Sequence, residues 1–185
     1  MKKICDPRIE IAIQLCMEAF QGKVRTGPIP IPASTHSISV GISLLKAGCE
    51  INTVLGGFCH DMDEDTSVKI PRISQELGER VGDIVQVCTI DTELEKVDWD
   101  QAELMLYEQV VARAKTGDLE PLKVKCADSL DNNRTNKDLS VRYQIPLLRY
   151  GMRWLVAGKE YIPDFILLSE FELIIAREAK RLGIA

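Results

Sequence analysis

Along nearly the whole chain apolar residues recur three and four positions apart, and no stretch of useful length alternates apolar with polar residues as a half-buried strand must. A chain with only that period buries its apolar stripes by packing helix on helix, so the expected fold is all-α, a compact multi-helix bundle. Local stop and start signals divide it. Asp6-Pro7 starts a helix carrying Ile9, Ala12, Ile13, Cys16, Ala19 and Phe20, which Gly22 ends. The three prolines between Gly27 and Pro32 forbid helix and give a stiff, extended loop that delivers Ser34, Thr35 and His36. A second helix is predicted from about His36 to Ala47, stopping at Gly48. Asn52 caps a third that carries Val54, Leu55 and Phe58 into the run His60-Asp61-Met62-Asp63-Glu64-Asp65-Thr66. Helices over Ile73 to Leu77, Arg80 to Thr89, from a cap at Asp98 or Asp100 to near Gly117, Leu119 to Asn133, Val141 to Val156 and Pro163 to Leu182 complete the expectation. Pro146 predicts a kink or a break in its helix.

The 185 residues suffice for one well-buried core, so a single domain over 1–185 is expected. A formal net charge of -5 leaves no overall positive field to hold nucleic acid or an anionic membrane. The most apolar run, Ile162 to Ile175, is interrupted by Asp164, Glu170 and Glu172 and cannot span a bilayer. Met1-Lys2-Lys3-Ile4-Cys5-Asp6-Pro7 lacks the apolar core of a signal peptide, which implies a cytoplasmic protein. Cys5, Cys16, Cys49, Cys59, Cys88 and Cys126 form no C-x-x-C pair and no metal-ribbon spacing; they read as small buried hydrophobes.

The chemistry concentrates elsewhere. His60 and Asp61 are adjacent, and each is followed four residues later by a carboxylate, Glu64 and Asp65. On a helix these pairs stack one turn apart, and Asp61, Asp63, Glu64 and Asp65 crowd like charges into one turn and a half. A solvated acidic helix end is one account of such a run. It follows directly on the buried-looking Val54-Leu55-Gly56-Gly57-Phe58-Cys59, however, and holds one of only two histidines in the chain. A divalent cation is the compensating charge that carboxylates and imidazole together suit. His36, the other histidine, opens a helix, where alone it would be an ordinary surface or capping residue. Asp128 and Asn132 lie one turn apart on a further helix, an arrangement that water could equally satisfy.

Taken in order, a lone histidine, then His-Asp with Glu-Asp-Thr, then Lys125-Cys126-Ala127-Asp128-Ser129-Leu130-Asp131-Asn132, the chain resembles the HD superfamily of metal-dependent phosphohydrolases. More narrowly it is similar to the (p)ppGpp hydrolase domain of RelA/SpoT-type proteins and their small stand-alone relatives; Ile73 to Val81 and Gln101-Ala102-Glu103 share in the likeness. The resemblance implies that His36, His60, Asp61 and Asp128 ligate one divalent ion, manganese in the family. It implies that Glu64 and Asp65 position and activate the attacking water, that Asn132 contacts the nucleotide, that Arg25 packs against its base, and that Arg134 and Thr135 lie near the pocket. Ser37 stands where proline is usual, Thr26 where lysine is, and Asp131 where histidine is common, and the segment from Arg25 to His36 is longer and richer in proline. The activity so implied is hydrolysis alone, acting on a small phosphorylated nucleotide and removing the 3′-pyrophosphate of (p)ppGpp. Another phosphorylated nucleotide, such as a dinucleotide cofactor phosphate, is the alternative substrate, and a non-catalytic nucleotide-binding regulator is the alternative role.

Overall fold

In a computed structural model, which describes residues 6–184, the chain is helical throughout its elements. Helix α1 spans Arg8–Ala19, α2 Ser34–Lys46, α3 Ile51–Cys59, α4 Met62–Asp65, α5 Ile70–Leu77, α6 Glu79–Cys88, α7 Thr92–Val97, α8 Trp99–Lys115, α9 Glu120–Arg134, α10 Val141–Tyr161 and α11 Leu167–Leu182, with a 3-10 turn at Asn136–Asp138. The expected all-α bundle is the observed fold. Among the described residues no helix is long and apolar enough to cross a membrane.

Helix α9 is the axle. Leu122, Val124, Cys126, Ala127 and Leu130 are buried, and so are Lys125, Asp128, Ser129, Asp131 and Asn133. A helix buried on nearly every side must be wrapped by others, and α2, α3, α6, α8, α10 and α11 all pack against it. Its buried charges therefore have to find partners inside the protein. Helices α2 and α3 cross closely enough that a Cβ on Gly41 would meet the Phe58 ring at 2.5 Å, and one on Gly57 would collide with Leu44. This approach brings His36 of α2 beside His60 at the end of α3.

Several expectations change. Asn52 caps nothing: α3 begins at Ile51 behind an extended Glu50, without a side-chain cap. Asp98 is the cap of α8, accepting from the Gln101 amide at 3.0 Å, while Asp100 accepts from the Tyr150 hydroxyl at 2.5 Å. Asp91 caps the unforeseen α7, its Oδ1 accepting from the Glu93 and Leu94 amides at 3.0 Å each. Pro146 does not break α10, which runs on past Val156 to Tyr161. The carbonyl that Pro146 leaves without its helical donor belongs to the exposed Arg142, where water reaches it. The helix includes Gly158, where Leu168 packs at the place a Cβ would occupy. Cys16, Cys59, Cys88 and Cys126 are buried free thiols; Cys49 is only half-buried, and Cys5 lies outside the described residues. The proline loop doubles back on itself, with Arg25 N donating to Ile31 O at 2.9 Å and Ala33 N to Lys23 O at 3.0 Å around a Val24–Pro32 bridge.

Candidate metal centre

His60 and Asp61 do not share one continuous helix. Helix α3 ends at Cys59, His60 takes its C-cap position, and Asp61 is the residue from which α4 starts. Both keep near-helical dihedrals, and Asp65 N still donates to Asp61 O at 3.0 Å. The turn places both side chains against α2 and α9. His36 Nε2 lies 3.0 Å from Asp128 Oδ1 and 3.5 Å from Asp61 Oδ2; His60 Nε2 lies 2.9 Å from Asp61 Oδ1 and 3.5 Å from Asp128 Oδ1. The ligand atoms of His36, His60 and Asp128 all fall within 4.8 Å of one another. Residues separated by as much as 92 positions thus meet at one point.

Two observations bear on whether a divalent ion fits. His60 Nδ1 donates to the Gly57 carbonyl at 3.0 Å, so the buried Nε2 is turned into the cluster, where Asp61 Oδ1 stands at 2.9 Å but outside hydrogen-bonding geometry. A buried imidazole nitrogen left without a partner is costly unless a ligand takes its lone pair. The second is charge. Burial on its own would lower both histidines and raise both aspartates. Instead the hydrogen bonds to Asp128 and Asp131 raise His36, and Asp61 and Asp128 raise His60 well above its ordinary range. Lys125 and His60 hold Asp128 well below the usual carboxylate range, and His60 lowers Asp61. The carboxylates hold positive charge between them, which is what a divalent cation supplies. The donor set fits one.

The remaining candidates surround this cluster. Asp65 lines a cavity of about 600 Å³ together with Lys23, Arg25, His36, Asp61 and Asn132. Burial and the Asp61 charge raise the Asp65 carboxyl. Glu64 accepts from the Ile90 amide at 2.6 Å, and burial with the same Asp61 charge pushes it up to about 8. Arg25 Nη2 donates to Asn132 Oδ1 at 2.8 Å, and Asn132 Nδ2 donates to Asp128 Oδ1 at 2.7 Å, so the two expected nucleotide contacts form a chain ending on the cluster. Thr135 lines an adjoining cavity with Arg25 and Asp131, whereas Arg134 lines neither cavity and pairs with Glu170 at 2.8 Å and, more loosely, with Asp131 at 3.7 Å.

Two residues gain a place that their sequence context did not assign. Lys125, buried three residues before Asp128, donates to Asp128 Oδ2 at 2.6 Å. Burial opposes its charge, but Asp128, Glu103 and Glu64 outweigh burial and keep the ammonium protonated. Asp131 takes the other nitrogen of His36. The i, i+3 spacing of Lys125 and Asp128 was a readable signal; the approach of Asp131 to His36 across 95 positions was not.

No family model matches the chain. A GTP pyrophosphokinase of Streptomyces antibioticus is 32% identical over 134 residues, which cover 71% of this chain and 15% of that protein. A guanosine-3′,5′-bis(diphosphate) 3′-pyrophosphohydrolase of Aquifex aeolicus is 27% identical over 104 residues, 56% of this chain and 14% of that protein. The chain therefore spans about one seventh of the length of these relatives. Among solved structures, a metazoan ortholog of SpoT, described as hydrolysing ppGpp, superposes with a TM-score of 0.77 at 18% identity, over 97% of this chain and 98% of that one. At that identity the superposition speaks for the fold. In sequence and in fold together, the chain is similar to SpoT/RelA-type proteins over the part of their length that it spans.

Proposed function

We propose that this domain is a divalent-metal-dependent phosphohydrolase that removes the 3′-pyrophosphate from (p)ppGpp, with manganese as its ion and the cytoplasm as its place of work. The observation that carries the reading is the meeting of His36, His60, Asp61 and Asp128 beside a cavity that His36 and Asp61 line together with Asp65, Lys23, Arg25 and Asn132. Anionic ligands need local cations in a protein of net charge -5, and Lys23 and Arg25 supply them there.

His36, His60, Asp61 and Asp128 would hold the ion, which when bound supplies Lewis acidity toward phosphoryl oxygens and water. Glu64, held by the Ile90 amide, would exchange the proton, and Asp65, which faces the cavity, would orient the attacking water. The water oxygen bonds to the phosphorus attached to the 3′ oxygen and the phosphorus–3′ oxygen bond breaks. One proton of the water passes to the carboxylate pair, which returns a proton to the departing 3′ oxygen so that it leaves as a hydroxyl, and pyrophosphate is released. Lys23 and Arg25 lend the cavity positive charge, Arg25 packs against the base, and Asn132 contacts the nucleotide and holds Arg25 in register with the cluster. Incubating the protein with manganese and a panel of phosphorylated nucleotides, with products identified by mass spectrometry, tests this. Pyrophosphate with a 3′-hydroxyl nucleotide is expected; orthophosphate from another nucleotide, or no product, refutes it.

A further inference from the structure

Asp131 lies on α9 one turn beyond Asp128, buried, and its two oxygens are fully engaged. Oδ2 stands 2.7 Å from His36 Nδ1 and 3.4 Å from Arg25 Nη1; Oδ1 accepts from Ser39 Oγ at 2.6 Å and lies 3.7 Å from Arg134 Nη1. An ionised carboxylate only accepts, so His36 Nδ1 is the donor. Nε2, across the ring, faces Asp61 and stands 3.0 Å from Asp128 Oδ1, a longer contact than the 2.7 Å at Nδ1, so the shorter bond to Asp131 is the one that sets where a neutral ring keeps its proton. Ser39 follows His36 by nearly one turn of α2 and anchors the opposite carboxylate oxygen, so the acceptor is itself held in place. His60 is oriented differently, by the neutral Gly57 carbonyl.

We propose that Asp131 is a positioning residue: it fixes the ring orientation and tautomer of His36 and, through the same oxygen, holds Arg25 over the cavity. One carboxylate thereby sets both the ligand shell and the cavity-facing arginine. This rests on the metal-site reading. A histidine, the side chain common at this position in the resembling family, has no pair of anionic oxygens to take an imidazole N–H, an arginine and a serine hydroxyl together. The carboxylate–imidazole pair also makes His36 a more basic ligand than a carbonyl acceptor would.

The test compares wild type with Asp131→Ala and Asp131→Asn by two readouts. The chain has only two histidines, so its imidazole 15N spectrum holds two ring systems, and His60 is the internal control. In the metal-free protein, at alkaline pH where the rings are neutral, wild-type His36 is expected to carry its proton on Nδ1. Asp131→Ala should move His36 to a mixture of tautomers and leave His60 unchanged. In calorimetric titration with manganese alone, Asp131→Ala should weaken binding on the order of 10–100-fold. Asp131→Asn, whose carboxamide oxygen still accepts from Nδ1, should recover part of that loss. A His36 proton that stays on Nδ1 in Asp131→Ala, with manganese bound as tightly as by wild type, overturns the proposal. If Asp131→Ala does not fold, unaltered manganese affinity in Asp131→Asn overturns it. Failure of wild type to bind manganese refutes the metal site instead, and the ring spectra still decide the role of Asp131.

Discussion

Replacing Lys125 by methionine separates a structural lysine from one that balances the metal cluster. Lys125 Nζ sits 2.6 Å from Asp128 Oδ2, with both side chains about one-tenth exposed, and lies 5.9 Å from the centre of the Trp154 ring. Methionine keeps the length and most of the packing, so the loss is chiefly electrostatic. Removing one partner of a buried ion pair leaves an uncompensated charge and costs about 3–5 kcal/mol. In a domain of this size such a loss corresponds to a fall in Tm on the order of 10 °C. We predict this cost for Lys125→Met in the presence of a chelator, measured by urea or thermal unfolding. With saturating manganese the cost should shrink, because the ion offsets the Asp128 charge that Lys125 no longer meets, and binding to the folded state adds its own stabilisation. A variant that folds only with manganese would be the extreme form of the same result. A loss below about 1 kcal/mol with chelator, the size of an exposed pair, refutes the argument. So does a loss that manganese leaves unchanged.

Three further predictions follow from the same geometry. Glu64→Gln combined with Asp65→Asn should leave manganese affinity unchanged by calorimetry while turnover falls on the order of 10²–10⁴-fold, the contribution of positioned acid–base groups; undiminished turnover sinks their assignment. Gly56→Ala should destabilise by about 1–3 kcal/mol in urea, since its Cβ would meet Ile84 Cγ2 at 2.7 Å where α3 packs on α6; an unchanged midpoint would show that Ile84 yields freely. Burial pushes the Cys16 and Cys88 thiols up to about 12, so at pH 8 an alkylating reagent should label them only after denaturant is added, with half-buried Cys49 reacting first among the described cysteines. Rapid native-state labelling of Cys88, read by mass spectrometry, would contradict its burial.

What the chain discloses before folding depends on how far apart the interacting residues lie. The helical period, the Gly22, Gly48 and Gly78 stops and the buried run from Val54 to Cys59 are local, and the bundle follows from them. Asp91 was equally local, a cap three residues before Leu94, yet α7 buries nothing and so shows no apolar stripe to announce it. Pro146 signals a kink or a break, and only the break is absent: α10 runs through it, and Arg142, whose carbonyl loses its helical donor there, is an exposed residue. The cluster divides the same way. His60 and Asp61 declare themselves through the crowded carboxylates after them, whereas His36 and Asp128 join them only through an ordered motif. Lys125 shows only its i, i+3 spacing to Asp128, and Asp131 shows nothing, because a lysine or an aspartate on a helix ordinarily faces water. Both become informative once α9 is seen to be buried on nearly every side: a charge there must be answered, and Lys125 answers Asp128 while Asp131 answers His36. Asp131 therefore changes what its departure from the family pattern means. It is joined to His36, Ser39 and Arg25 at once, so the aspartate reads as part of a rebuilt support for the first histidine, and the cavity wall around Arg25 should be judged with that support in place.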